Sequence, residues 1–278
     1  MDSTYQELLD LAIGGDANAF QKIFLGFHDQ LKSYLYRLLT DFDEAEDISQ
    51  ESYLKAYSNL KSFQNKSSIK TWVFSIATNL AYDLLRQRKR WTVDIKSQGK
   101  ALAMSDPSVW DKIQKVRHES EEEAFEIRDH INHCFTCMSK TLPIERQIAL
   151  ILKDVYDFSI KDIALILEKS IDITKHLLQD ARKMMVQIFD DRCALIRKEG
   201  VCNQCSELNG AFNPKQDTQI QLNQIDFVKG SKKYNRDELY EMRAKLIKAI
   251  DPLKGKGANL QDILMKTDRF AFGEIKSF

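Results

Sequence analysis

Residues 44–90 read EAEDISQESYLKAYSNLKSFQNKSSIKTWVFSIATNLAYDLLRQRKR, and this stretch decides the fold. Its second half places apolar residues three and four positions apart, which predicts a helix with one buried stripe. The stripe consists of Ile69, Trp72, Val73, Ile76, Ala77, Leu80 and Leu84. The helix ends in a basic cluster from Arg86 to Arg90. Cations suit a helix C-terminus, but a polar, aromatic and basic face also suits phosphates and unstacked bases.

The preceding helix, at about residues 44–60, has two distinct faces. Its predicted buried side consists of Ile48, Tyr53, Ala56, Tyr57 and Leu60. The i, i+3, i+4, i+7 positions of another face are Asp47, Gln50, Glu51 and Leu54. Such a polar patch is usually solvated surface, but a polar rim around a small apolar contact is also typical of a docking face.

Together, DEAEDISQESYLKAY and the long helix with its tryptophan and basic end resemble the second conserved region of bacterial RNA polymerase sigma factors. The resemblance is to the extracytoplasmic-function (ECF) group of the sigma-70 family, and GDANAFQKIF near the N-terminus is similar to the start of these proteins. It implies a transcription initiation factor that binds core RNA polymerase and directs promoter recognition and melting. The implied polymerase-binding residues are Asp47, Gln50, Glu51 and Leu54.

The resemblance also implies residues that meet the minus-ten promoter element. In the family, the loop that matches residues 62–68 helps to capture a flipped base, so base and phosphate contacts are expected from Gln64, Asn65 and Lys66. As a loop it needs no function, and Ser67 or Ser68 is a candidate cap for the next helix. The expected minus-ten contacts on that helix and its end are Asn79, Tyr82, Arg86 and Arg90.

Composition limits the remaining classes. The chain has 278 residues, 43% hydrophobic and 29% charged, which predicts a soluble globular protein. Ten glycines, four prolines and the lack of alternating strands favour an all-α fold. Because the formal net charge is zero, any affinity for nucleic acid must come from local basic patches. No run is apolar enough to span a bilayer and no signal peptide begins the chain, so a cytoplasmic location is expected.

The pattern divides the chain into four parts. They are a region 2-like helical domain at residues 1–91, a flexible linker at 92–127, a helix-turn-helix domain at 128–192 and a C-terminal extension at 193–278. The extension is expected to contain helices at 236–250 and 259–266. It is either a helical pair packed on the second domain or a regulatory tail that contacts a partner.

The helix-turn-helix resembles the fourth conserved sigma region, which reads the minus-thirty-five element with its second helix in the major groove. Ser159 is expected to cap its first helix. The packed positions of the second helix are predicted to be Ile173, Leu177, Leu178 and Ala181. The implied DNA contacts are Thr174, Lys175, His176, Gln179, Arg182 and Lys183. Glu168 departs from the family pattern, which has a small residue there, and Asp180 stands where arginine is usual.

Two C-x-x-C pairs bracket this domain. Cys134, Cys137, Cys202 and Cys205 are candidate ligands of one tetrahedral zinc ion, with His133 as a spare ligand. The pairs are about 64 residues apart, which far exceeds the spacing of a zinc ribbon. Reduced, partly buried thiols and a redox-switched site therefore remain as alternatives. The implied function requires no cofactor, so structural zinc is the one candidate.

Two other functions fit parts of the sequence. A helix-turn-helix regulator that acts without polymerase would have no need of the docking face on the 44–60 helix. A cysteine-based redox or metal sensor would use the thiol pairs, but neither pair lies in a βαβ pattern. No catalytic residue is expected. The expected partners are core RNA polymerase, promoter DNA and, as a further candidate, an anti-sigma factor.

Overall fold

The computed structural model describes residues 3–119, 127–193, 233–254 and 257–278, and these residues form thirteen α-helices and no β-strand. In chain order the helices are α1 Ser3–Ile13, α2 Ala17–Leu25, α3 His28–Leu39, α4 Phe42–Ser58, α5 Ile69–Arg86, α6 Ile95–Ser105, α7 Pro107–Glu119, α8 Ile127–Ser139, α9 Ile144–Leu150, α10 Ile160–Ile166, α11 Ile171–Arg192, α12 Arg236–Lys248 and α13 Ala258–Ala271. A 3₁₀ turn at Leu60–Ser62 follows α4, and α9 continues as a π-helical turn over Ile151–Val155. The predicted all-helical class is confirmed. Within the described ranges, no helix has the length and apolarity to cross a membrane.

The first domain is the bundle α1 to α5, and side-chain caps fix where its helices begin. The carboxylate of Asp16 accepts from the amides of Asn18 and Ala19 at 2.8 and 3.1 Å, at the start of α2. Ser68 accepts from the amide of Thr71 at 3.0 Å, which confirms it as the cap of α5. The bundle core is aromatic and aliphatic, and its fully buried members include Phe20, Leu31, Tyr34, Leu35 and Phe74.

The buried face of α5 differs from the predicted stripe. The buried residues are Ile69, Thr71, Val73, Phe74, Ala77, Thr78, Ala81 and Leu85. The predicted core positions that remain partly exposed are Trp72, Ile76, Leu80 and Leu84. The reason is that α5 packs against α3 and α4 on one side and against α10 on the other. Its buried threonines therefore have polar partners, since Thr78 Oγ1 lies 2.8 Å from the Tyr34 hydroxyl and Thr71 donates to Asp162 at 3.0 Å.

Residues 95–119 form α6 and α7, which corrects the prediction of a flexible linker. Ile95, Val109 and Ile113 are buried, and α13 packs along both helices. The partner that buries them lies far along the chain, so local periodicity did not reveal it. A Cβ at Gly99 would clash with a carboxylate oxygen of Asp268, so a side chain there would have to displace that carboxylate. The acidic run Glu121 to Glu123 lies outside the described residues.

The second domain consists of α8 to α11 and contains the predicted helix-turn-helix as α10 and α11. Ser159 accepts from the amide of Asp162 at 3.1 Å and confirms the predicted cap of α10. Ser170 caps α11 in the same way through the amide of Ile173. In the turn between them, Glu168 has φ of +53°, in the left-handed region. This conformation explains why a glycine would suit that position better.

The extension folds into α12 and α13, close to the predicted helices, and touches both domains. Helix α12 packs on α8, α11 and the π-helical turn, and α13 packs on α6, α7 and α8. Leu239, Ile247, Leu260 and Met265 carry the apolar part of these contacts. The extension therefore joins the two domains and does not project from them. Cys202 and Cys205 lie outside the described residues.

Candidate functional site

The outer face of α4 is the expected docking surface. Asp47, Gln50, Glu51 and Leu54 are all exposed, and 63% of Leu54 is open to solvent. Within the described part of the chain, the polar contacts of this face stay on its own helix: Gln50 donates to Glu46 at 2.9 Å and Glu51 pairs with Lys55 at 2.8 Å. Because Ile48 and Ala56 bury the opposite side, the helix is held rigidly with this face outward. A leucine surrounded by polar groups can contact a partner without unfolding any part of the bundle.

The loop before α5 presents its three candidate residues to solvent. Gln64, Asn65 and Lys66 are exposed, and Asn65 has φ of +55°. Asparagine tolerates this left-handed conformation better than most residues. Behind the loop, Phe63 packs on Trp72 with ring centroids 5.3 Å apart. The loop therefore has a fixed aromatic base and polar side chains that point away from the core.

The candidates on α5 and its end fall into two groups. Asn79 and Arg86 are exposed and Tyr82 is partly exposed. Arg90 is instead held by the second domain, because its Nε donates to the carbonyl oxygen of Leu142 at 2.7 Å and its Nη2 donates to Gln147. Burial lowers the pKa of Arg90 to about 10. Arg90 is thus part of the contact between domains in this arrangement and is not open to a phosphate.

Most candidates on α11 face solvent, and two sequence predictions need correction. Lys175, His176, Gln179 and Lys183 are exposed. Thr174 is fully buried and donates to the carbonyl oxygen of Ser170 at 2.9 Å, so it cannot reach DNA here. Ile173 was expected in the core but is 49% exposed. The buried face of α11 is one position further on, because Leu178, Ala181 and Met185 are the residues that face α9 and α10.

Two charged residues of α11, Asp180 and Arg182, pair with other residues of the second domain. Arg182 donates through Nε to both oxygens of Asp154, at 3.0 and 3.2 Å, and Tyr240 of the extension donates to the same carboxylate at 2.8 Å. Asp180, which would repel phosphate, pairs with Arg146 at 2.7 Å. The Arg182 pair raises the pKa of that guanidinium, so its charge is secure.

The two domains contact each other directly through α5 and α10. The ring of Phe74 lies 4.8 Å from that of Phe158, centroid to centroid, and the Lys70 ammonium lies 5.0 Å from the Phe158 ring. Thr71 adds its hydrogen bond to Asp162. The surfaces expected to read two separate promoter elements therefore belong to one closed body.

The extension fastens this body with buried charges, a feature that sequence analysis missed. Arg269 of α13 is 1% exposed. Its guanidinium pairs with Asp41, with Glu44 at 2.8 Å and with Glu274 at 3.3 Å. Arg37 of α3 is also fully buried, and it donates to the carbonyl oxygen of Ile250 at 2.9 Å. The only sequence signal would have been the charged residues inside amphipathic helices.

The first C-x-x-C pair lies on α8, where its two thiols have different surroundings. Cys134 is partly exposed and Cys137 is buried. The Sγ atom of Cys137 lies 3.5 Å from Oδ2 of Asp268 in α13, with His133 close by. Burial raises the pKa of the Cys137 thiol well above its ordinary value. Whether all four cysteines share one ion stays a prediction, since the second pair is outside the described residues.

Two family models match the chain: Sigma-70 region 2 at residues 23–91 and Sigma-70, region 4 at residues 132–185. The RNA polymerase sigma-H factor of Pseudomonas aeruginosa is 28% identical over 180 residues, which cover 64% of this chain and 90% of that protein. The ECF RNA polymerase sigma factor SigW of Bacillus subtilis is 41% identical over 75 residues, which cover 27% of this chain and 40% of that protein. A solved structure of the sigma factor RpoE in complex with the anti-sigma factor NepR from Bartonella quintana aligns with a TM-score of 0.43 and 20% identity, over 62% of this chain and 96% of that chain. Both family models end before the extension.

Proposed function

Because this chain belongs to the extracytoplasmic-function group of the sigma-70 family, we propose that it binds core RNA polymerase and directs promoter recognition and melting. It is a transcription initiation factor, and its role needs no catalytic residue. The free energy of binding opens the strands: bases leave the stack and are held on protein surfaces, which offsets a cost of a few kcal/mol per step.

The observation that carries the proposal is the outer face of α4. Among the residues that the structure describes, it is the one family-matched surface where every expected residue is exposed and makes no contact with another helix, and Leu54 lies at its centre. Polymerase would cover Leu54, and the rim of Asp47, Gln50 and Glu51 would fix the orientation. A regulator that acts on DNA alone would have no use for this face.

Promoter contacts are proposed for two surfaces. The minus-ten surface would consist of the 64–66 loop, Asn79, Tyr82 and Arg86, which are accessible on the first domain. The minus-thirty-five surface would consist of Lys175, His176, Gln179, Arg182 and Lys183 on α11. Side chains such as His176 and Gln179 would contact base edges, and the cations would contact phosphates.

The closed arrangement has to open before both surfaces bind one promoter. Elements centred about 25 base pairs apart are about 85 Å apart along B-DNA, at 3.4 Å per base pair. A compact chain of this length is only about 50 Å across. The contact between α5 and α10 must therefore separate, which would also release Arg90 for the minus-ten element. In this reading, the extension is the part of the chain that resists opening.

Core binding tests the proposal. The double variant Asp47→Ala/Gln50→Ala should weaken binding to core RNA polymerase at least tenfold, since both side chains lie on the docking rim. Its thermal melt should stay unchanged, because exposed substitutions alter stability by about 0.5 kcal/mol or less. Binding would be measured by fluorescence titration of labelled protein with core enzyme, and function by run-off transcription from genomic promoter fragments.

The matched control is Lys22→Ala/Glu7→Ala, which removes two side chains from other helices of the same domain. If the α4 variant binds core as tightly as this control does, the docking face is elsewhere. If the wild-type chain binds promoter DNA but never core enzyme, it is a regulator that acts without polymerase.

The proposed role places the protein in the cytoplasm, where polymerase and promoter DNA are found. An anti-sigma factor is a further proposed partner. It would compete with polymerase for the α4 face, so adding it should displace labelled core enzyme in the same titration.

A further inference from the structure

Three buried side chains meet where the second domain contacts the extension. His133 and Cys137 lie one helical turn apart on α8, and Asp268 reaches them from α13. Their ligand atoms all lie within 4.8 Å of one another, and all three residues are buried. An imidazole, a thiol and a carboxylate are the three groups that proteins use most often to bind zinc.

We propose that His133, Cys137 and Asp268 form a binding site for one zinc ion. At ordinary zinc–sulfur and zinc–oxygen distances, two ligand atoms of a tetrahedral ion are about 3.6 Å apart. The observed distance from Cys137 Sγ to Asp268 Oδ2 is 3.5 Å. Three protein ligands leave the fourth position for a water molecule.

The cluster of His133, Cys137 and Asp268 already has a cation beside it. The ammonium of Lys96, from α6, pairs with Asp268 and occupies the position next to the carboxylate. Zinc would replace this ammonium, and the Cys137 thiol would release its proton to solvent on forming the zinc–sulfur bond. One thiolate and one carboxylate then balance the two charges of the ion, so the buried cluster is neutral in both states.

Lys96 has space to withdraw. Its side chain lines a cavity of about 310 Å³ beside the cluster. Cys134, Met138 and Cys193 line the same cavity, which is mainly apolar but has Lys100 and Arg192 in its wall. The cavity gives the ion a path from the surface to α8, and it gives the displaced lysine a place between the cluster and solvent.

The proposed ion would bridge two parts of the chain that are far apart in sequence. Two ligands belong to the helix-turn-helix domain and one belongs to α13 of the extension. Binding would therefore hold the extension in its closed position and would stabilise only the state in which α8 and α13 touch. This site goes beyond promoter recognition, and its test does not depend on polymerase.

The site differs from one made of four cysteines, although both would use Cys137. A cobalt titration of chelator-treated full-length protein separates them, since cobalt substitutes for zinc and reports thiolate ligands by a near-ultraviolet charge-transfer band. We expect one equivalent to bind with the band intensity of a single thiolate. Asp268→Asn should weaken binding at least tenfold, whereas Cys202→Ser/Cys205→Ser should bind as the wild type does.

A second variant should increase the affinity for metal, a result that misfolding cannot produce. Lys96→Met removes the competing ammonium and leaves all three ligands, so cobalt and zinc should bind at least tenfold more tightly. The rise in melting temperature on adding zinc should also be larger than for the wild type. Lys100→Met is the matched control in the same helix and cavity wall, and it should change neither quantity.

The proposal is overturned if Lys96→Met binds cobalt no more tightly than the wild type. It is also overturned if Asp268→Asn binds as well as the wild type, or if the band has the intensity of four thiolates and disappears in Cys202→Ser/Cys205→Ser. Should Asp268→Asn fail to fold, the Lys96→Met titration decides the question alone.

Discussion

The core of the first domain and the contact between α13 and the rest of the chain are both buried, but their chemistry is opposite. The core is built from rings and aliphatic side chains such as Phe20, Leu31 and Phe74. The α13 contact is built from charges, with Arg269 and Asp268 at its centre. Apolar burial stabilises a fold in proportion to area. A buried ion pair contributes little net free energy, yet losing one partner is costly.

The two regions therefore differ in role: the core stabilises the first domain, and the α13 contact positions the extension. The aromatic core keeps the first domain folded, because opening it would expose apolar area to water. The charged contact specifies one position for the extension and can separate when another partner replaces it, because separated charges are rehydrated. The four predictions that follow test this contrast, from the largest expected effect to the smallest.

The largest effect should come from Phe20→Ala. Phe20 is fully buried, and its ring centroid lies 5.3 Å from that of Tyr53 and 5.7 Å from that of Tyr57. Removing the ring leaves a cavity and should lower the free energy of unfolding by about 3–5 kcal/mol. Urea denaturation measures this change. Leu25→Ala, at a residue that is 60% exposed on the same helix, should change it by about 0.5 kcal/mol or less.

Arg269→Ala should cost about 3 kcal/mol, and the loss should be local. The variant leaves the carboxylates of Asp41, Glu44 and Glu274 without their shared cation. Hydrogen exchange should therefore rise in α13 and α6 while α2 and α3 stay protected. Run-off transcription should increase, because the closed body opens more easily.

Lys254→Ala is the matched control for that variant. Lys254 also joins the extension to the first domain, through Asp29, but both side chains are more than half exposed. Exposed pairs contribute little, so exchange and transcription should stay at wild-type levels. Equal effects of the two variants would show that buried and exposed charges hold the extension alike, and the contrast drawn above would fail.

Asp262→Asn should reveal a cost of burying charge in α13. Burial raises the pKa of Asp262 to about 6 from an ordinary value of 3.8, despite Lys266 at 3.1 Å. Between these values the folded state binds more protons than the unfolded state, so stability falls as pH rises. The full shift corresponds to about 3 kcal/mol.

The asparagine variant should thus be more stable than the wild type at pH 7–8. We expect a gain of about 1–2 kcal/mol, which is less than the full shift because the amide loses the ion pair with Lys266. This advantage should shrink as pH falls from 6 to 4. Thermal melts of both proteins across that range give the difference. A constant difference at every pH would mean that Asp262 has the same pKa in the folded and unfolded states.

Arg86→Ala should have the smallest effect, which is a modest loss of promoter affinity with a weaker salt dependence. Arg86 is exposed at the end of α5, so one lost phosphate contact should reduce the slope of log affinity against log salt by about 0.7–0.9. Promoter-binding titrations of the polymerase complex at several salt concentrations measure the slope. An unchanged slope, with Lys22→Ala as reference, would exclude this contact.

Local chemistry was sufficient to predict much of this fold. Caps at Ser68 and Ser159 and the exposed face of α4 follow from neighbouring residues, and the structure confirms them. On the opposite face of α4, Tyr53 and Tyr57 were predicted to be buried but are partly exposed. Predictions failed where a distant element supplies the partner. The buried face of α5 differs from the predicted stripe because α10 packs on it. The 95–119 segment is helical, and not a flexible linker, because α13 packs on it. For the same reason, the role of Arg269 was not visible in the sequence, since its carboxylate partners come from another domain and from the C-terminal turn.

The carboxylate of Asp154 preorganises Arg182 on α11, the proposed recognition helix. It accepts hydrogen bonds from Nε and Nη2 of Arg182 and a third from the hydroxyl of Tyr240 in the extension. A guanidinium fixed in one rotamer has already lost the freedom that it would otherwise lose on meeting a phosphate, and it still has donors to offer because arginine carries five. The extension thus reaches the proposed DNA-binding surface of α11 through the hydroxyl group of Tyr240. Displacing the extension would remove this hydrogen bond, so Arg182 would lose more side-chain freedom on binding a phosphate.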